Sequence, residues 1–103
     1  MAATLTEAEF SKHLHTKFRI ANPQPIELEL TQVKGYLSKA HEQTGMERFS
    51  AFFYGPGDRY LQQGLYSLEH ETMGAFELFL VPIAKDDEKG YQYEAVFNYF
   101  RQP

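Results

Sequence analysis

The amino-acid sequence predicts a mainly β domain, either a small antiparallel barrel or a two-sheet sandwich of about six strands, with one short N-terminal helix. Two observations predict this fold class. Runs in which apolar and polar residues alternate recur along the chain, as in strands with one buried face. Turn-forming residues separate these runs, and closing the sheet is the usual way to remove exposed strand edges. Barrel and sandwich both remain open on this evidence.

The first predicted element is a helix over residues 5 to 14. Phe10 and Leu14 stand at helical spacing. Thr6, followed three residues later by Glu9, forms a capping box that satisfies backbone N–H groups at a helix start. We therefore expect this helix to pack Phe10 and Leu14 on the sheet.

Two strands are predicted before the middle of the chain. Residues 17 to 20 alternate and stop at residues 22 to 25, where two prolines remove backbone donors. From Ile26 to Leu30 an apolar residue occupies every second position, as in a strand with one wet face. Val33 breaks this phase, which predicts a β-bulge near residues 31 and 32.

A polar and uneven segment, residues 34 to 48, comes next, and we predict it to be the longest loop. Four strand-like runs follow it, at residues 49 to 54, 65 to 70, 76 to 83 and 91 to 100. The run at 76 to 83 becomes apolar on both faces, which predicts a central strand covered on both sides. A polar turn at residues 86 to 90 predicts a hairpin between the last two strands.

Composition narrows the class of protein. The 103 residues fit one domain, residues 1 to 103, with no cysteine, so disulfides and thiolate chemistry are absent and a cytoplasmic location is expected. The formal charge of −4 and the scattered basic residues argue against binding to nucleic acid or to an anionic membrane. No apolar stretch reaches the length of about 20 residues that spans a bilayer.

The sequence offers no strong catalytic or metal site. His70 stands between Glu69 and Glu71, but neighbouring side chains of a strand point to opposite faces, so we expect His70 to end a strand and hydrogen-bond a turn. His13 and His15 diverge on a helix and have no evident third ligand. We therefore expect no enzymatic activity, no metal and no cofactor.

The loop from Gly55 to Gln63 holds the candidate binding residues, because loops on a rigid scaffold are where such residues concentrate. These candidates are Arg59, Tyr60, Gln62 and Gln63. Tyrosine and arginine are enriched among binding hot spots. The structural alternative is that Gly55, Pro56 and Gly64 fix the turn while Leu61 and Leu65 pin it to the core.

An ordered signature runs through the second half of the chain: Phe49-Ser-Ala-Phe-Phe-Tyr-Gly-Pro56, Leu61-Gln-Gln-Gly-Leu-Tyr-Ser-Leu-Glu-His70, Gly74, Leu78-Phe-Leu-Val-Pro-Ile83 and Tyr93-Glu-Ala-Val-Phe-Asn98. It resembles an uncharacterised family of short bacterial β-rich domains. The resemblance supplies no catalytic residues. It implies an accessory or assembly role, since similar chains are often encoded near components of phage-tail-like structures.

Two functions are expected on these grounds. The first is a non-enzymatic module that binds another protein, with weak self-association through a strand edge or an aromatic patch as a further hypothesis. The alternative is a binder of a small ligand or sugar in a barrel mouth lined by Phe and Tyr. A hydrolytic enzyme comes third. A deep aromatic cavity would favour the ligand binder, whereas a filled interior would leave only the outer surface for binding.

Overall fold

The computed structural model describes residues 5–22, 24–36 and 46–100, which form one short helix and six strands. The sheet closes on itself into an antiparallel barrel with the strand order β1-β2-β3-β6-β5-β4, which decides between the two predicted architectures. The elements are α1 (Glu7–Ser11), β1 (Lys17–Ile20), β2 (Ile26–Gly35), β3 (Met46–Gly55), β4 (Gly64–His70), β5 (Gly74–Asp86) and β6 (Gly90–Phe100).

The helix begins where the capping box predicts and ends earlier than expected. Thr6 is the N-cap, and its hydroxyl oxygen accepts a hydrogen bond from the Glu9 backbone N–H at 3.1 Å. A turn over residues 12 to 15 follows the helix, and His15 there has a φ of 66°. Leu14 therefore lies beyond the helix with 36% of its surface exposed, so the expectation that it packs on the sheet was wrong.

Three local features of the strands follow from the sequence. The β1 strand has the predicted bounds, Lys17–Ile20. The predicted bulge in β2 is confirmed by a register shift between Leu30 and Gln32 in the pairing of β2 with β3. The hairpin of β5 and β6 is also confirmed, and the Asp86 carboxylate accepts the Glu88 and Lys89 backbone N–H groups at 2.8 and 2.9 Å.

The loop predicted over residues 34 to 48 is shorter at both ends. The β2 strand runs to Gly35 and the β3 strand starts at Met46, so their pairing takes in residues assigned to the loop. Residues 37–45 lie outside the described residues.

The barrel interior is filled by apolar side chains. The inward residues of all six strands, with Phe10 from α1 and Leu61 from the β3–β4 loop, form one buried cluster. β5 lies between β4 and β6, and its inward Leu78 and Leu80 are buried. The prediction that β5 is covered on both faces is wrong, since Phe79 and Ile83 on its outward face are exposed. A barrel wall has a single buried side.

The helix closes one end of the barrel, which we call the helix end. The Phe10 ring lies 5.3 to 6.2 Å, centroid to centroid, from four other rings: Phe18, Phe49, Phe76 and Phe97. Within the described part of the chain, no helix has the length and apolar character needed to cross a membrane.

Candidate functional site

The candidate loop, residues 56 to 63 between β3 and β4, is held firmly on the opposite end of the barrel, the loop end. Leu61 is buried, and its backbone N–H donates a hydrogen bond of 2.9 Å to the Tyr93 hydroxyl. Burial raises the pKa of Tyr93, so this hydroxyl stays protonated at neutral pH. The Tyr66 hydroxyl donates to the Gln62 carbonyl oxygen at 2.6 Å. The loop is therefore a fixed platform.

All four candidate residues lie on the exposed side of this loop. Arg59 Nη1 donates to the Pro25 carbonyl oxygen at 2.6 Å, which ties the loop to the β1–β2 turn. Tyr60 is 49% exposed, and its ring meets the Tyr91 ring edge to face at 5.1 Å. Gln62 and Gln63 are exposed. Their display towards solvent fits a binding role.

The structural alternative for this loop is right for some of its residues and wrong for others. Leu61 is pinned in the core as expected, whereas Leu65 points outward with 62% of its surface exposed. A Cβ atom at Gly55 would lie 2.7 Å from Leu28 Cδ2, so a side chain there meets the core. A Cβ atom at Gly64 would meet nothing closer than 3.8 Å, so the sequence-based expectation that Gly64 fixes the turn has no steric basis.

The loop end is closed by a close approach of backbone. Gly90 has a φ of 98°, a conformation that residues with a Cβ rarely adopt. A Cβ atom at Gly90 would overlap the Gly55 carbonyl oxygen and lie 3.0 Å from the Gly57 nitrogen. Glycine at position 90 thus lets the β5–β6 hairpin touch the start of the candidate loop.

A groove of about 590 Å³ runs beside the loop, and we call it the loop groove. Its walls carry charges of both signs and one aromatic ring, from Lys17, Arg19, Glu27, Glu29, Tyr54, Asp58, Arg59 and Lys89. The Lys17 ammonium lies 3.3 Å from a Glu29 carboxylate oxygen, and this hydrogen bond lowers the pKa of Glu29. The Lys89 ammonium lies 5.8 Å from the centre of the Tyr54 ring. The groove therefore suits a polar, charged surface or ligand.

His70, the other residue that the sequence singled out, is a structural group at the helix end. It ends β4, and its Nδ1 accepts hydrogen bonds of 3.0 Å from the Thr72 and Met73 backbone N–H groups, as predicted. Its Nε2 lies 2.8 Å from the Thr16 hydroxyl oxygen. That hydroxyl already donates to the His13 carbonyl oxygen at 2.6 Å, so Nε2 must be the donor. The Nδ1 atom therefore accepts while the Nε2 atom donates, and together these roles require the neutral ring with its proton on Nε2.

The surroundings of His70 also favour the neutral ring. Burial is the largest cause that lowers the pKa of His70, the charges of His13 and Arg19 lower it further, and Glu71 acts in the opposite direction. The His13 ring centre lies 4.7 Å away. Because Nδ1 is occupied by two backbone donors, His70 is not available as a general base.

His13 and His15 face different neighbours. His13 lies beside His70 and 3.9 Å from a Glu9 carboxylate oxygen, whereas His15 Nδ1 lies 3.4 Å from a Glu29 carboxylate oxygen. Across residues 5–22, 24–36 and 46–100, no three His, Asp or Glu side chains are grouped to hold a metal ion.

A family model described as Domain of unknown function (DUF6916) matches residues 5–97, which takes in α1, all of β1 to β5 and most of β6. The chain belongs to the DUF6916 family. No curated protein and no solved structure matches it. The resemblance to an uncharacterised domain family, noted from the sequence, is thus confirmed for this DUF6916 domain.

Sequence reasoning found the exposed loop of the DUF6916 domain and missed the rest of the loop groove. Lys17 and Arg19 lie on β1 and Lys89 lies in the β5–β6 turn, far from Arg59 along the chain. No local pattern links these positions, since only barrel closure brings them together. The contact between Thr16 and His70, 54 residues apart, was missed for the same reason.

Proposed function

We propose that this DUF6916 domain is a non-enzymatic module that binds another protein through the exposed side of residues 56 to 63 and the loop groove. The observation that carries this proposal is a rigid loop that presents Arg59 and Tyr60 to solvent above a filled barrel. A loop whose backbone is already fixed loses little conformational entropy when it binds.

The filled interior supports binding on the outside. Phe18, Phe53 and Tyr93 are buried in the cluster that occupies the barrel, so their rings are committed to packing. The groups left for recognition are those of the outer wall and the loops. On the loop end these include cations and carboxylates side by side, the pattern that sets orientation and specificity at protein interfaces.

Affinity capture from the native cell at endogenous level tests this function. A specific protein partner should be retained by the wild-type chain and by Lys12→Ala, a change of one exposed cation on the helix side of the molecule. Tyr60→Ala and Arg59→Ala should each reduce the retained partner about tenfold, because hot-spot truncations typically cost more than 1 kcal/mol. Equal retention by all four chains would place the binding surface elsewhere.

The identity of the captured protein tests the finer parts of the proposal. The family resemblance leads us to propose an assembly role accessory to a phage-tail-like structure, which a tail-like structural protein in the capture would support. We also propose a cytoplasmic location, because a chain without cysteine needs no oxidising compartment. Cell fractionation measures the location directly.

A small ligand or sugar is the second candidate, and the size of the loop groove favours it. Its volume of about 590 Å³ falls within the range of ligand sites. The expected aromatic mouth takes a different form here, since Tyr54 is the one aromatic residue among the groove's lining side chains. Thermal-shift screening with sugars and charged metabolites separates the candidates: a ligand site gives a rise in Tm that Arg59→Ala removes.

A further inference from the structure

The helix end of the barrel holds two histidine rings side by side. The centres of the His13 and His70 rings lie 4.7 Å apart, and the centre of the Phe18 ring lies 4.4 Å from that of His70. His13 follows α1 and His70 ends β4, so this pair joins the α1 segment to the barrel wall. Thr16 lies within hydrogen-bond distance of His70, and we call His13, Thr16 and His70 the histidine latch.

Hydrogen bonds complete the latch only when the His70 ring is neutral. Its Nδ1 accepts the Thr72 and Met73 backbone N–H groups at 3.0 Å, and its Nε2 donates to the Thr16 hydroxyl oxygen at 2.8 Å. A protonated ring carries a hydrogen on both nitrogens. The added N–H would point at two backbone N–H groups, so the turn after β4 would lose its acceptor.

The groups that face His70 act mostly against its protonation. Burial is the largest cause that lowers the pKa of His70, and the like charge of His13 is the second. Glu71 in the β4–β5 turn raises this pKa, whereas Arg19 on β1 lowers it. The Glu9 carboxylate lies 3.9 Å from His13 Nε2 and pairs with that ring when it is charged. Separation of the α1 segment from β4 relieves the burial and the repulsion together.

The latch covers the aromatic side chains that close the helix end. Phe10 belongs to the same segment as His13, and its ring centre lies 6.2 and 6.0 Å from those of Phe18 and Phe76. Met73, in the turn that His70 holds, is partly buried against the same core. An open latch therefore exposes rings that the closed latch buries.

The contacts described above at the loop end keep their form between about pH 5.5 and 7.5. The Tyr93 hydroxyl that holds Leu61 stays protonated, because burial raises its pKa. Hydrogen bonds from the Lys89 and Glu88 backbone N–H groups lower the pKa of Asp86, so this carboxylate stays ionised. We therefore expect mild acid to act on one end of the barrel.

We propose that the histidine latch is an acid-sensitive switch, in which protonation of His70 releases the α1 segment and the β4–β5 turn while the barrel and its loop end stay folded. The closed form is fully favoured above about pH 6.5, the ordinary pKa of histidine, which the open form regains. Its advantage declines as the pH falls towards the lower pKa of the closed form. The switch is separate from the binding residues of the candidate loop.

Amide hydrogen exchange of the full chain, measured by NMR at about pH 7.5 and 5.5, tests this proposal. Division by the intrinsic rate at each pH gives the opening constant. The Phe10 amide donates to the Thr6 carbonyl oxygen at 3.0 Å and reports on α1, whereas the Leu61 amide reports on the loop end. Acid should raise the opening constant about three- to tenfold at Phe10, because opening takes up one proton, and less than about twofold at Leu61.

Three variants separate the latch from other effects of acid. His70→Asn retains an acceptor for the turn and cannot titrate, so the opening constant at Phe10 should be nearly the same at both pH values. His13→Gln removes a like charge and should reduce the rise. His15→Asn is the matched control, since His15 is an exposed ring of the same segment that lies beside Glu29, and it should keep the wild-type rise.

Four results overturn the proposal. An equal rise at Leu61 would mean that the whole barrel unfolds, and the absence of a rise in the wild type would mean that the protonated ring fits the closed form. A wild-type rise in His70→Asn would assign the response to another group. Equal rises in His13→Gln and His15→Asn also contradict it, so the test holds even where His70→Asn does not fold.

Discussion

The two ends of the barrel are closed by different means. At the helix end, one inserted side chain, Phe10, packs among four rings, and His70 ties the neighbouring turn and the residues before β1 together. At the loop end, Gly90 lets backbone meet backbone, and a single tyrosine hydroxyl holds Leu61. The helix end thus depends on buried side chains, whereas the loop end depends on main-chain fit and leaves its outward side chains available for binding.

The largest effect on stability is expected from truncation of Phe10, which fills the helix end of the barrel. Phe10→Ala should lower the free energy of unfolding by about 3–5 kcal/mol, since it leaves a cavity among Phe18, Phe49 and Phe97. Leu14→Ala is the control from the same segment and should cost less than about 1 kcal/mol, because Leu14 is exposed. Urea unfolding measures both. Equal losses would show that Phe10 of α1 does not hold the helix end of the barrel together.

The backbone contact at the loop end should give the next largest effect. Gly90→Ala forces a Cβ atom into the Gly55 carbonyl oxygen at a positive φ, so we expect a loss of about 2–3 kcal/mol. Gly64→Ala, at the β4 end of the candidate loop, should change the free energy of unfolding by no more than about 0.5 kcal/mol, because its Cβ has room. A stable Gly90→Ala variant in thermal unfolding would contradict this account of the loop end.

The helix end should also be sensitive to pH. The pKa of folded His70 lies below the ordinary value of 6.5 that the unfolded chain has. The unfolded state then takes up a proton first, so stability is fully present above about pH 6.5 and falls as the pH drops towards the folded pKa. His70→Asn retains an acceptor for Thr72 and Met73 and cannot titrate. Its unfolding free energy should decline less between about pH 7.5 and 5.5.

A His70→Asn variant that loses stability as steeply as the wild type on acidification would assign the pH dependence to another group. His13→Gln is the companion variant, since the centre of the His13 ring lies 4.7 Å from that of His70. A flat wild-type profile would show that the protonated ring is accommodated.

The sequence predicts the features that depend on neighbouring residues and misses those that depend on contacts between distant parts of the chain. The bounds of β1, the bulge after Leu30 and the capping box at Thr6 follow from neighbouring residues, and all three were predicted correctly. The pairing of β1 with β4, which closes the barrel, joins Arg19 to Glu69 across about half the chain and leaves no local pattern. The outward direction of two apolar residues was also missed. Leu65 was expected to pin the loop to the core, and Phe79 was expected to lie in a strand covered on both faces.

The most direct test of this account is the unfolding free energy of a chain that carries both Tyr60→Ala and Gln63→Ala, measured in urea beside Phe10→Ala. Both changes lie on the exposed side of a loop that is held by Leu61 and Arg59. They remove the edge-to-face contact of the Tyr60 ring with the Tyr91 ring. We predict a loss below about 1.5 kcal/mol, well short of that for Phe10→Ala. A loss equal to that of Phe10→Ala would show that these side chains hold the barrel together and would contradict their assignment to binding.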